Sequence, residues 1–175
     1  MVLIPYLAKN ISHQEKNTSN KIGVYGSTEQ SFFTKLKENG IDTFCDIRQR
    51  RGVRGKKYAY VNSTYLQNKL KEYGIKYLYI SQLSPTTEIR ELQKEIDKKN
   101  GISKSARIEI GKVFEIEYKN KILSQFDFDK LIHTLKENNS QKIALFCVEE
   151  HPEACHRSIV AKALHLKYNN FIKHL

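Results

Sequence analysis

The stretch KLKENGIDTFCDI, residues 35–47, carries the end of a predicted helix directly into a predicted strand. A close copy, KLKEYGIKYL, occupies residues 69–78, and a looser one, TLKENNSQKIALF, occupies residues 134–146. In the first two, Gly40 and Gly74 stand where a left-handed helix cap belongs. Their spacing of 34 residues also suits a helical repeat, but the segment after each glycine is rich in β-formers, which argues against one. Each copy therefore predicts a joint between a helix and a strand of one sheet.

Elements of both kinds extend outward from these joints. Strands are predicted at 21–25, 41–47, 75–80, 143–148 and 171–175. Helices are predicted from Ser27, with a capping box Ser27-x-x-Gln30, from residue 62 or 63, and at 86–99, 107–123, 127–138 and 154–168. Strands that alternate with helices predict one α/β domain over residues 22–175, a largely parallel sheet flanked by helices in a Rossmann-like sandwich. The polar residues 9–21 make 1–21 a predicted flexible lead-in.

The composition is typical of a globular domain. The chain has 175 residues, of which 39% are hydrophobic and 28% charged, and this balance excludes a disordered or collagen-like chain. The longest apolar run, Ile143–Val148, is far shorter than a membrane span, and residues 1–8 lack the pattern of a signal peptide. Three cysteines are too few, and odd in number, for a disulfide framework. We therefore expect a cytoplasmic protein without a membrane partner.

The charge indicates an acidic partner. The net charge is +11 and the pI about 9.5, and residues 47–71 contain eight basic residues and no acidic one. Only seven arginines occur beside 23 lysines, yet four of the seven lie within residues 48–54. Arginine is preferred over lysine where a planar group must hold a phosphate or carboxylate through two bonds. The alternative is a solvated basic loop that keeps the protein soluble.

The arginine-rich stretch DIRQRRGVRG, residues 46–55, follows the second predicted strand. Ligands of parallel sheets bind beyond the carboxyl ends of the strands, so Arg48, Arg51 and Arg54 are candidate phosphate contacts. Asp46 is a candidate ligand contact as well. The alternative is that Asp46 pairs with Arg48 and holds the loop in shape.

A second unusual stretch, FCVEEHPEACHRS, covers residues 146–158 and links a buried strand to the last helix. Cys147 or Cys155 is a candidate nucleophile, with Glu149 and His156 as proton-transfer groups, so these four form the candidate catalytic set. The alternative is that Cys147 is an inert core residue and that Glu149 pairs with Arg48 or Arg157 to hold the turn.

The same stretch suggests two other kinds of site. Arg157 at the start of the last helix is a candidate anion contact, because helix N-termini attract anions. Cys147, His151, Cys155 and His156 offer zinc ligands, but their spacing matches no standard zinc knuckle or ribbon. The sequence therefore predicts neither a metal nor a cofactor.

Several motifs together resemble the family called domain of unknown function 488. They are Asp46-Ile-Arg48 with Arg54 downstream, Gly74-Ile-x-Tyr77, Leu83-Ser-Pro85-Thr, and Cys147-x-Glu149-x-x-Pro152-x-x-Cys155-His156-Arg157-Ser-x-Val-Ala161. The resemblance covers about residues 22–175, and the last motif is the most specific. Many members have Asp-Val-Arg followed by Pro and Ser-Arg, whereas this chain has RRGVR at residues 50–54 and is similar to an arginine-richer branch. The resemblance implies an α/β sandwich with its signature residues at one end of the sheet, and it implies no particular reaction.

Three functions fit these observations. The favoured one is an anion-binding site, for a nucleotide or nucleic acid, at the carboxyl edge of the sheet, with Tyr58, Tyr60 and Tyr65 as possible stacking platforms. The alternatives are an enzyme that uses the cysteine, histidine and glutamate groups on such a ligand, and a regulatory protein-interaction module without chemistry. A shared site requires Arg48 and Cys147 to face the same end of the domain.

Overall fold

A mixed β-sheet forms the centre of the computed structural model, which describes residues 2–5, 24–103, 106–169 and 172–175. Within these residues the sheet has five strands in the order β3-β2-β4-β1-β5. β2 is parallel to β3 and β4, whereas β1 is antiparallel to β4 and β5. The strands are β1 Val2–Pro5, β2 Thr43–Asp46, β3 Lys76–Tyr79, β4 Lys142–Phe146 and β5 Lys173–His174. The predicted α/β class is confirmed, and the parallel part of the sheet is β3-β2-β4.

Six helices among the described residues pack against the two faces of this sheet. Side chains alternate between the faces along β4, so that Ile143 and Leu145 belong to one core cluster and Ala144 and Phe146 to the other. The first cluster contains apolar residues of the last four helices, and the second contains those of the first two. The helices are α1 Glu29–Glu38, α2 Ser63–Glu72, α3 Thr87–Lys99, α4 Lys112–Lys121, α5 Phe128–Glu137 and α6 His156–Tyr168.

The predicted joints between helices and strands are confirmed. Gly40 and Gly74 have φ of +63° and +69°, in the left-handed region that glycine adopts without strain. The amide of Ile41 donates to the carbonyl of Leu36 at 3.0 Å, which closes the last turn of α1 as a Schellman motif does. The third copy ends in the same way with Asn139, whose φ is +51°.

The amino-terminal prediction was wrong for Val2–Pro5. These residues form β1, which lies between β4 and β5, with Leu3 opposite Ala144. Four apolar residues ahead of a polar stretch give no local sign of pairing with a strand about 140 residues away. The remainder of the predicted lead-in, residues 6–21, lies outside the described residues.

Other element boundaries also differ from the prediction. The predicted strand at 21–25 lies partly outside the described residues, and its described part, Val24 and Tyr25, is a bend followed by a turn rather than a strand. The capping box of α1 uses Thr28 and Ser31 instead of Ser27 and Gln30. The hydroxyl of Ser27 instead donates to the carbonyl of Val24 at 2.8 Å and lies 2.7 Å from the hydroxyl of Tyr60. No helix in the described part of the chain is both long and apolar enough to cross a membrane.

Candidate functional site

The two unusual stretches meet at the carboxyl ends of β2 and β4. Asp46 and Phe146 are register partners, so the chain leaves both strands at the same level of the sheet. Arg48 and Cys147 line one open cavity of about 890 Å³, and the predicted convergence is confirmed. The cavity lining is rich in basic side chains: Arg48, Arg50, Arg54, Arg90, Lys94, Lys98 and Arg107. Its acidic side chains are fewer: Glu91, Asp97 and Glu149.

Asp46 and Arg48 form a buried ion pair. Two nitrogens of Arg48, Nη2 and Nε, contact the two carboxylate oxygens of Asp46 at 2.7 and 2.9 Å. Arg48 Nη1 also donates to the carbonyl of Val61 at 2.9 Å, and the Tyr77 hydroxyl donates to Asp46 at 2.8 Å. The guanidinium carbon also lies 4.6 Å from the centre of the Phe146 ring. This geometry favours the loop-holding alternative for Asp46.

The other two predicted phosphate contacts have different positions. Arg54 is exposed and lines the cavity. Arg51 lies outside the cavity lining, with its guanidinium carbon 4.2 Å from the centre of the Tyr79 ring. A hydrogen bond with Tyr77 raises the pKa of Arg51 above its usual value. Arg50, which the sequence argument did not select, lines the cavity beside Arg54.

The four predicted catalytic residues form one buried cluster against the cavity. Nδ1 of His156 lies 3.9 Å from Cys147 Sγ and 3.7 Å from Cys155 Sγ. The thiol of Cys147 donates to Glu149 Oε2 at 3.0 Å. Nε2 of His156 donates to the carbonyl oxygen of Ile47 at 3.1 Å, since a carbonyl can only accept. That bond turns Nδ1 toward both sulfur atoms and ties the second stretch to the first.

The two thiols of this cluster differ in acidity. A hydrogen bond with Cys155 and burial raise the pKa of Cys147 well above its usual value. Burial opposes ionisation of Cys155 too, but a hydrogen bond with Cys147 and the positive charges of His156 and Arg157 hold the pKa of Cys155 well below its usual value. Burial lowers the pKa of His156, but the nearby Cys155 outweighs it and raises that pKa. The arrangement thus favours a thiolate at Cys155 beside an imidazolium.

Arg157 is fully buried and holds the turn between β4 and α6. Its Nη1 and Nη2 donate to the carbonyl oxygens of Glu149 and Glu150 at 2.7 and 3.0 Å. Arg157 lies outside the cavity lining, and its Nε has no hydrogen-bond partner among the described residues. The guanidinium therefore contacts the backbone of the turn, where the sequence argument had placed an anion.

Arg107 is a site residue that the sequence argument missed. Its Nη1 donates to Asp97 at 2.9 Å, and its Nη2 lies 3.4 Å from Glu149 Oε1 and donates to the carbonyl of Ala154 at 3.2 Å. Glu149 was expected to pair with Arg48 or Arg157, but its carboxylate faces Arg107 instead. Arginine is rare in this lysine-rich chain, and this rarity could have indicated Arg107 as a site residue. We used it only for the arginines at residues 48–54.

The three tyrosines considered as stacking platforms are separated in the fold. Tyr58 lines the cavity, next to Tyr25, whose ring centre is 5.3 Å away. Tyr60 is buried in the core, and the Tyr65 hydroxyl donates to Glu29 at 2.5 Å, outside the cavity. Only Tyr58 of the three can therefore contact a ligand in the cavity.

Comparison with protein-family models matches residues 28–164 to the family described as Domain of unknown function DUF488. The chain belongs to this family. The matched range contains both stretches and all the predicted site residues, and it contains every residue that lines the cavity except Tyr25. Comparisons with the curated proteins and with the solved structures give no match.

Proposed function

We propose that this DUF488 protein binds a phosphate-bearing ligand, a nucleotide or a nucleotide unit of a nucleic acid, in the basic cavity. The observation that carries the proposal is the excess of basic over acidic side chains lining the cavity, with contributions from the loop after β2, from α3 and from Arg107. Clefts lined by one sign of charge concentrate ligands of the opposite sign. Arginine also binds a phosphate through two parallel bonds.

The size and walls of the cavity support a ligand of nucleotide size. Its volume of about 890 Å³ lies within the range of roughly 300–1,000 Å³ common for small-molecule sites. The aromatic rings of Tyr25 and Tyr58 line the cavity, and Phe114 and Ile110 form an apolar part of its wall. A base can stack on an aromatic ring while its phosphate contacts an arginine.

Binding measurements with matched arginine variants test the proposal. A fluorescent nucleoside triphosphate and a fluorescent short single strand are titrated separately, each at several salt concentrations. Arg54→Ala is expected to weaken binding about tenfold and to flatten the salt dependence, because it removes a charged contact. Arg51→Ala removes the same charge from the same loop outside the cavity, and its affinity should stay close to that of the parent protein.

The outcomes separate the ligand classes. Tight binding of the triphosphate supports a nucleotide site, and preference for the strand supports a nucleic-acid site. Equal losses for Arg54→Ala and Arg51→Ala would attribute binding to the charge of the loop as a whole. Binding of neither probe at low salt contradicts the proposal and favours the protein-interaction alternative.

A second candidate, an enzyme acting on the bound ligand, is favoured by the contact of Cys155 Sγ with His156 at the cavity wall. In such a reaction the sulfur bonds to an electrophilic atom of the ligand, and the leaving group takes a proton from the imidazole. Mass spectrometry of intact protein incubated with the bound ligand tests this reaction, because a covalent adduct increases the mass of the protein. The adduct should be absent in Cys155→Ala and present in Cys45→Ala. Turnover that survives Cys155→Ala excludes this nucleophile.

A further inference from the structure

Two sulfur atoms and one imidazole nitrogen converge at the inner wall of the cavity. Cys147 Sγ, Cys155 Sγ and a ring nitrogen of His156 all lie within 4.8 Å of one another, and all three residues are buried. We propose that these three residues bind a zinc ion. The proposal is independent of the nucleotide site, because it rests on the ligand atoms alone.

The distances fit tetrahedral coordination. With bonds of about 2.3 Å to sulfur and about 2.0 Å to nitrogen at tetrahedral angles, a bound sulfur and nitrogen lie about 3.5 Å apart. The distances from His156 Nδ1 to the sulfur atoms of Cys155 and Cys147 are 3.7 and 3.9 Å. An ion placed among the three atoms therefore requires shifts of only a few tenths of an ångström in each of these distances.

The orientation of His156 matches that of a metal ligand. Zinc-bound histidines usually donate their second ring N–H to a carbonyl or carboxylate, which holds the bonding nitrogen in place. Nε2 of His156 makes such a bond to the carbonyl of Ile47 at 3.1 Å. Nδ1 then presents its lone pair toward the sulfur atoms once it has lost its proton.

The charges also balance. Two thiolates neutralise a divalent cation, so the ion removes the cost of burying unpaired thiolates near the core. Zinc displaces two protons, one from the Cys147 thiol and one from Nδ1 of the His156 imidazolium, and both pass to the solvent of the open cavity. The Cys147 proton can leave through Glu149 Oε2, which already accepts its hydrogen bond at 3.0 Å, so Glu149 ends as a carboxylate again. The other carboxylate oxygen of Glu149 lies 3.4 Å from Arg107 Nη2, which offsets its charge.

The fourth coordination position faces the cavity. All three ligand residues line it, so water or a group of the bound ligand can complete the tetrahedron. A site with three protein ligands and one open position is typical of catalytic rather than structural zinc. The sequence predicted no metal because the spacing of these ligands matches no standard zinc knuckle or ribbon. Here the turn between β4 and α6 brings Cys147 to residues 155 and 156.

Cobalt substitution tests the site on the full chain. Protein purified in a phosphine reductant is stripped with a chelator and titrated with Co²⁺, and the near-ultraviolet thiolate-to-cobalt absorption is recorded. We expect saturation at one equivalent, and zinc should abolish the band. Cys147→Ala and Cys155→Ala should each weaken binding at least about tenfold, whereas Cys45→Ala, which removes a buried thiol elsewhere, should leave binding unchanged.

X-ray absorption at the zinc edge identifies the atoms bound to zinc in the unmodified protein, so this test does not depend on whether a variant folds. Two sulfur neighbours at about 2.3 Å support the site. Three results would each overturn the proposal. The first is the absence of the cobalt band in the unmodified protein, and the second is a zinc coordination shell without sulfur. The third is a cobalt band that survives in the double variant Cys147→Ala with Cys155→Ala.

Discussion

Nη2 of Arg48 lies 2.7 Å from Oδ2 of Asp46, and the two side chains are 2% and 0% exposed. Such a pair, removed from water, depends on both partners, because the survivor of a single substitution is a buried, unpaired charge. The pair connects the end of β2 to the arginine-rich loop, so it positions the basic wall of the cavity.

Arg48→Met is expected to lower the free energy of unfolding by about 3–5 kcal/mol, because it leaves the carboxylate of Asp46 buried and unpaired. Combining it with Asp46→Leu should cost less than the sum of the two single changes. Urea unfolding measures all three variants. The exposed pair Lys94–Glu91 is the control, and Glu91→Ala should change stability by less than about 1 kcal/mol. Additive costs would show that the buried pair does not act as a unit.

Arg157→Lys tests the clamp on the turn between β4 and α6. Lysine is shorter and has one nitrogen in place of the two that bond separately to the carbonyls of Glu149 and Glu150, so we expect a loss of about 2–3 kcal/mol in urea unfolding. Arg50→Lys, an exposed position, should stay within about 0.5 kcal/mol of the parent protein. Equal stability of the two variants would contradict the clamp.

The capping of α1 is tested by Thr28→Ala. The Thr28 hydroxyl accepts from the amide of Ser31 at 3.1 Å, and its loss should cost about 1 kcal/mol in thermal or urea unfolding. Thr34→Ala, at an exposed position inside the same helix, should be neutral or slightly stabilising, because alanine has the higher helix propensity. A larger cost at Thr34 than at Thr28 would place the cap elsewhere.

Stability at alkaline pH should depend on Cys45. Burial, together with the charges of Asp42 and Asp46, raises the pKa of Cys45 to about 12, whereas an unfolded cysteine ionises near 8.5–9. Above pH 9 the unfolded chain therefore loses a proton that the native state keeps, and stability falls with pH until about 12. For one proton the slope is at most about 1.4 kcal/mol per pH unit.

Urea unfolding at a series of pH values measures this effect. Cys45→Ala should show a gentler decline than the parent protein between pH 9 and 12, whatever the change in its stability at neutral pH. Identical slopes would mean that Cys45 ionises as readily in the folded protein as in the unfolded chain.

The sequence alone determined the local joints. The ends of α1 and α2 depend on hydrogen bonds that span five residues, such as Ile41 N to Leu36 O, and on a glycine that tolerates positive φ. Since these causes lie within a few residues of each other, local patterns placed both joints and the strands that follow. The same reasoning placed the two unusual stretches at one edge of the sheet, because parallel strands share the direction of their carboxyl ends.

Contacts between distant residues were decided only by the tertiary structure. The pairing of Leu3 with Ala144 and the contact of Arg107 with Glu149 leave no local pattern, because packing alone brings these residues together. Both Arg48 and Arg54 line the cavity, but packing gave them different environments: Arg48 is a buried partner of Asp46, whereas Arg54 is exposed. An arginine serves an ion pair or a ligand equally well, so its role depends on whether a carboxylate or open solvent faces it.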